Sequence, residues 1–236
     1  MLWPMVTHLG VDACSGGWFA TIVVDDDIDT ECYPTFDALW ATHANADRIL
    51  IDIPIGLPDE GTRVCDEEAR TLLGCRGSSV FDTLCRPLLN VADYDEANAT
   101  YRELAGKGLS QQAWHLREKI EQVDTVVRQD ERAETTLRES HPELCFYALN
   151  DGNPVAYSKK SERGREKRLA ILESELADAE GVYDDSMDRF LRKHVGRDDI
   201  LDACALAVAA RNGSLTHIPE ASNRGDPWMR IYYPNW

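Results

Sequence analysis

One stretch near the amino terminus, HLGVDACSGGW over 8–18, constrains the fold more than any other. Leu9, Val11 and Ala13 read as a buried strand that carries one acid, Asp12. A tight turn at Ser15-Gly16-Gly17 leads into a second apolar strand over 18–24. An apolar strand has no use of its own for a carboxylate, because burying one is costly unless a cation or hydrogen-bond donors meet it. Asp12 therefore either accepts local backbone bonds near the strand end or binds a metal.

The same pattern recurs. After a third strand over 28–33, Pro34-Thr35 opens a helix through His43, with Phe36, Leu39 and Trp40 on one face. RILIDI over 48–53 is then a continuous apolar run, the mark of a central strand covered on both sides. Its single acid, Asp52, is followed at once by PIGLP, whose prolines and glycine stop the strand. Three strands in a meander, a helix and a strand able to lie beside the first describe the α/β class.

Between 60 and 132 the pattern turns helical, over 62–73, 91–104 and 110–131. With no repeat and no low-complexity linker, this segment reads as a helical insertion into a single domain spanning 1–236. Between its first two helices runs GCRGSSVF, with Arg76, Ser78 and Ser79, close in sequence to Arg63, Asp66 and Arg70. That loop is either a cradle for a phosphate or carboxylate or an ordinary helix connection whose arginines pair with nearby acids.

TTLRES over 135–140 is a short strand ending at Glu139, a third acid at a strand end, and HPEL starts the next helix with Pro142 in its first turn. His141 and Glu143 lie close by. Residues 158–179 read as one charged helix, basic at its start through Lys159, Lys160, Arg163, Arg165, Lys167 and Arg168. This basic cluster is either a solvated face or the chain's one contact for nucleic acid. A last helix begins at DDILD and is apolar all round until Asn212-Gly213. Asp198 is a natural cap; Asp199 and Asp202, three apart, share a face and could ligate one cation. The tail, with Pro219 and Gly225, ends in a strand over 228–233.

Charge narrows the function. Asp and Glu total 42 against 25 Lys and Arg, a formal charge of −17, and only six of the basic residues are Lys. An acidic, Lys-poor surface suits a protein kept soluble in concentrated salt, so a halophilic origin is expected. It also argues against a broad basic face for nucleic acid at low salt, an objection that fades in molar salt, where screening acts within ~3 Å. No run approaches a membrane span, and MLWPMVTHLG lacks a basic region followed by an apolar stretch, so a soluble, cytoplasmic protein with no membrane partner is expected. Seven cysteines without a C-x-x-C pair read as reduced structural thiols.

Acids at the ends of two central strands, a third strand-end Glu and a pair at a helix start are hard oxygen ligands, suited to Mg²⁺ or Mn²⁺ rather than zinc. Two such ions ~3.5–4 Å apart can activate a water and stabilise the leaving oxygen of a phosphodiester. No nucleophilic Ser or Cys with an evident partner competes, and no P-loop or dinucleotide fingerprint is present.

GVDACSGGW, IDIPIGLP, the R-x-C-D-x-x-x-R element from Arg63 to Arg70, RGSSVF, ESHPEL and DDILDACALA together resemble the domain of unknown function 429 family. That family is regarded as ribonuclease H-like and as predicted nucleases. The resemblance, running from about Leu9 to Ala210, implies a ribonuclease H-like mixed five-stranded sheet with helices on both faces. It matches Asp12, Asp52 and Asp202 to the family's strand and helix acids and Glu139 to its E-x-x-P-E element. Similarity to Holliday-junction resolvases suggests Asp199 as a fourth ligand. Ribonuclease H proper has a Glu on its first helix, where this chain offers only Asp37.

The expected function is thus a divalent-metal-dependent nuclease of the two-metal type, with DNA, RNA and a small phosphoester all open as substrate. Asp12, Asp52, Glu139 and Asp202 are its expected catalytic acids, and Asp12, Asp52, Asp199 and Asp202 its ligands for Mg²⁺ or Mn²⁺. Arg63, Arg70, Arg76, Ser78 and Ser79 are expected to hold substrate. The rivals are a non-catalytic binding or scaffold protein on the same fold and an actin-like phosphotransferase. The latter needs a second half-domain and a nucleotide loop.

Overall fold

Alternation along β1 (Thr7–Cys14) decides how the sheet is used. Leu9 and Val11 point to one side and Gly10 and Asp12 to the other. We describe residues 5–220 and 227–235 of a computed structural model; residues 1–4, Gly225 and the rest of 221–226, and residue 236 lie outside the described residues. β1 lies at the centre of a five-stranded sheet of order β3-β2-β1-β4-β5. Its partners are β2 (Gly17–Val24) and β3 (Asp27–Tyr33), which form an antiparallel meander with it, and β4 (Arg48–Asp52) and β5 (Leu137–Glu139), which are parallel. This is the mixed sheet that the resemblance implies.

One face packs Leu9, Val11, Trp18, Ala20, Ile49 and Ile51 against α1 (Phe36–His43) and the helices that follow β4. Thr35 caps α1 by accepting the Ala38 N–H. The chain between β4 and β5 carries α2 (Val64–Leu73), α3 (Tyr94–Ala105), α4 (Gln111–His115), α5 (Arg117–Gln129) and the short α6 (Ala133–Thr136). The single helix expected over 110–131 is therefore two. The RGSS loop is a 3₁₀ turn over Gly74–Ser79.

The other face packs Phe19, Val23 and Leu50 against α7 (Pro142–Leu149), α8 (Glu162–Leu172), α9 (Ala179–Arg189) and α10 (Arg197–Arg211). Every residue from Ile200 to Ala210 is buried, as the all-round apolar pattern requires. The charged helix expected over 158–179 is shorter and is followed by α9, which the sequence pattern did not separate from it. α10 approaches the sheet closely because β1 offers Gly10: a Cβ there would sit 2.1 Å from the Ala203 carbonyl oxygen and the Ala207 nitrogen. A two-stranded ladder of β6 (Leu215–Ile218) and β7 (Ile231–Pro234) closes the chain, the last strand running three residues later than expected at its start. Among the described residues no helix is long and apolar enough to cross a membrane, and all seven cysteines are free.

Candidate metal centre

Strand alternation and strand direction together build the site. Asp12 and Asp52 are directly paired in the parallel β1–β4 ladder, both at the carboxyl end. Both lie on the face covered by α10, whose second turn brings Asp202 to the same point. One carboxylate oxygen from each of Asp12, Asp52 and Asp202 lies within 4.8 Å of the others. Carboxyl ends of parallel strands are where ligand sites form in open α/β sheets. The three line a cavity of about 300 Å³ with Arg76, Ser78, Ser79, His141 and Lys159 among its other walls.

Crowding of buried acids raises their proton affinity. Asp12 is driven well above the ordinary carboxylate range, first by burial and then by repulsion from Asp52, Asp202 and Asp199. Burial raises Asp52, with His141 and Lys159 opposing it. Burial pushes Asp202 up to about 6 against the pull of Lys159, whose ammonium donates to its carboxylate. Three hard oxygen donors around one point, with one ammonium between them and solvent, fit a divalent cation.

Not every expected residue joins them. Asp199 lines the cavity, but one of its oxygens accepts the Gly196 N–H at 2.8 Å, so half the carboxylate serves as the α10 cap. Glu139 borders the cavity yet is turned away into a buried brace: Arg63 donates to both of its oxygens at 2.7 Å and the Ile55 N–H donates at 2.6 Å. The remaining guanidinium bonds of Arg63 go to Asp66, at 3.1 and 2.5 Å, and to the carbonyls of Ile55 and Gly56. Arg63 lines the cavity but is 2 % exposed, with its guanidinium bonds taken up by these partners. Its motif ties the loop after Asp52 to the ends of β5 and α2; burial and the Arg63 charge act on Glu139 in opposite senses. Arg70 also is committed elsewhere, to Asp82 at 2.6 Å and the Val80 carbonyl. Glu139 and Arg63 thus line the cavity but are bonded to each other, and Arg70 is bonded away from it, pairings that sequence position does not report.

Arg76, Ser78 and Ser79 do reach the cavity. Arg76 donates to Glu143 at 2.9 Å, and its Nε has no partner among the described residues. Glu143 also accepts from Arg168, a fully buried guanidinium, at 2.6 Å. Lys159, Glu143 and Arg168 are the residues that sequence reasoning left out of the site. Their only signals were a basic run that resembled a solvated face and an acid beside a proline.

A central parallel pair ending in opposed aspartates, completed by a helix aspartate, defines an α/β protein with an acidic centre at the carboxyl edge of its sheet, consistent with the ribonuclease H-like fold. The family model described as "protein of unknown function (DUF429)" matches residues 10–224, and the chain belongs to that family. No curated protein and no solved structure matches it.

Proposed function

We propose that the protein is a divalent-metal-dependent phosphodiester hydrolase, acting on nucleic acid as a nuclease. The observation that carries this reading is the convergence of Asp12, Asp52 and Asp202 within 4.8 Å at one end of a cavity. Such acids repel unless cations lie between them, which gives the fold a reason to bind Mg²⁺ or Mn²⁺. Ions held there would supply Lewis-acid activation of water and charge neutralisation at the leaving oxygen.

The chain's own residues have separable tasks. Asp12, Asp52 and Asp202 hold the cation charge, and Asp199 stands beside them with one oxygen free of the cap bond. Arg76, anchored by Glu143, and the Ser78–Ser79 turn form the wall that a phosphodiester would meet. The cavity volume, at the low end for ligand sites, suits one nucleotide-sized unit at a time. The acidic surface gives no broad basic track, so binding is expected at high salt.

The test is a panel of single- and double-stranded DNA and RNA and a small chromogenic phosphodiester, in molar KCl with Mg²⁺ or Mn²⁺. Hydrolysis by the wild type that is lost in Asp12→Asn supports the reading. Absence of hydrolysis across the panel contradicts it and favours a non-catalytic binding protein.

A further inference from the structure

Among the described residues Lys159 is the one ammonium placed against the acidic centre: it donates to Asp202 and its nitrogen lies 4.0 Å from Asp198. Its backbone is fixed from both sides. Before it, the Tyr157 carbonyl accepts a 3.0 Å bond from the fully buried Arg168. Behind it, Ser161 caps α8 and returns two bonds to the Ser158 carbonyl, from its N–H at 2.9 Å and its hydroxyl at 2.7 Å. Gly164 lets that turn close, since a Cβ there would lie 2.0 Å from the Ser158 oxygen. Arg168 in turn bonds Glu143, which also accepts from Arg76 in the cavity wall.

The side chain is held by its ion pairs, whereas the backbone is fixed by several hydrogen bonds. It is 32 % exposed, whereas its partner Asp202 is 2 % exposed. Four methylenes on an anchored Cα let the ammonium leave the acids without moving the loop. One positive charge cannot balance three carboxylates, and a divalent cation competing for the same oxygens would meet Lys159 as its rival.

We propose that Lys159 is an exchangeable internal counter-cation: it occupies the acidic centre in the metal-free protein, gives way when a divalent cation binds, and then presents its ammonium to an incoming phosphoryl group. The inference rests on the metal-binding reading above. It explains why a loop is clamped so firmly around a flexible residue. It also assigns Glu143 and Arg168 the task of positioning that loop.

Titration with Mn²⁺ alone tests it by calorimetry on the wild type, Lys159→Met and Lys159→Arg. Removal of a competing charge is expected to tighten Mn²⁺ binding in Lys159→Met by roughly 5- to 150-fold, the usual span of coupled sites. Lys159→Arg, which keeps the charge, is expected to stay within about threefold of the wild type, a span worth well under 1 kcal/mol. A second readout needs no variant: acetylation of Lys159, followed by mass spectrometry of the wild type, is expected to rise severalfold on addition of Mn²⁺. In Mn²⁺-saturated protein, inorganic phosphate is expected to bind more weakly to Lys159→Met than to the wild type. Equal Mn²⁺ affinity of wild type and Lys159→Met, or acetylation unchanged by Mn²⁺, overturns the proposal while leaving the metal site intact. Absence of Mn²⁺ binding in all three proteins overturns both.

Discussion

Asp12 and Asp52 stand directly opposite each other on adjacent parallel strands, as the last pair of the β1–β4 ladder. Like charges placed across a ladder destabilise it, and here Asp202 adds a third to the same point. On the proposed reading, a fold that places three acids at one point has a demand for cations.

The demand has a pH signature. A carboxyl raised in the folded state holds its proton more tightly there than in the unfolded chain. Its contribution is intact below the ordinary value of 3.8 and is lost as pH rises through the folded value, about 6 for Asp202 and well above 3.8 for Asp12. The metal-free wild type should therefore lose stability relative to Asp12→Asn as pH rises from about 4 through the raised Asp12 value, Asp202 being common to both proteins. Glu139, pushed up to about 7 chiefly by burial, acts in the same sense in both proteins and cancels in the difference. Urea melts at several pH values measure it, and parallel curves for the two proteins would remove the electrostatic argument.

Salt should act in the same direction on the whole surface. With a net charge of −17, self-repulsion opposes compaction. Screening within ~3 Å in molar KCl relieves it. The melting temperature should rise between dilute buffer and molar KCl. A flat or falling trend would show that the acidic surface does not limit stability.

Arg63, at the start of α2, and Arg76, within the 3₁₀ turn, should behave differently. Arg63→Ala leaves Glu139 and Asp66 buried without their partner and should cost about 3–5 kcal/mol of stability. Arg76→Ala touches a guanidinium whose side chain is 19 % exposed at the cavity wall, and should weaken phosphate binding with a smaller loss of stability. Denaturation midpoints together with phosphate titrations separate the two effects; the opposite pattern would return Arg63 to the substrate.

Gly10→Ala tests how α10 is set against the sheet. The added methyl meets backbone atoms at 2.1 Å, which no rotamer can relieve. The loss should exceed the ~1–3 kcal/mol of ordinary overpacking, and because Asp202 rides on α10, any surviving fold should bind Mn²⁺ more weakly. Near-wild-type stability would show that the helix can back away freely.

Much of this arrangement was legible in the chain. Asp12 and Asp52 stood out because each is a lone acid near the end of an apolar strand, and Asp202 because it opens the all-apolar part of the last helix beside Asp199, local signals that survive folding. Glu139 carried a similar signal but is paired with Arg63, 76 residues away, and sequence spacing does not report such pairs. Lys159 was hidden in a run of charges that local pattern assigns to solvent; its neighbour in space, Asp202, is 43 residues on. The break between α8 and α9 was invisible for a related reason. Residues 173–178 are helix formers in composition, and the chain turns there because Leu172 and Leu176 both enter the core and Asp178 adopts a left-handed conformation.

The central claim is that the three aspartates exist to hold divalent cations. Thermal melts of wild type and Asp12→Asn, each with and without millimolar Mn²⁺, test it most directly. Binding at a hundredfold excess over Kd stabilises by about 2.7 kcal/mol, a rise of roughly 5–10 °C for a chain of this size. The account predicts that rise for the wild type and none for Asp12→Asn, with metal-free Asp12→Asn melting at or above the metal-free wild type. A wild type whose melting temperature does not move with Mn²⁺, or an Asp12→Asn that moves equally, would contradict it.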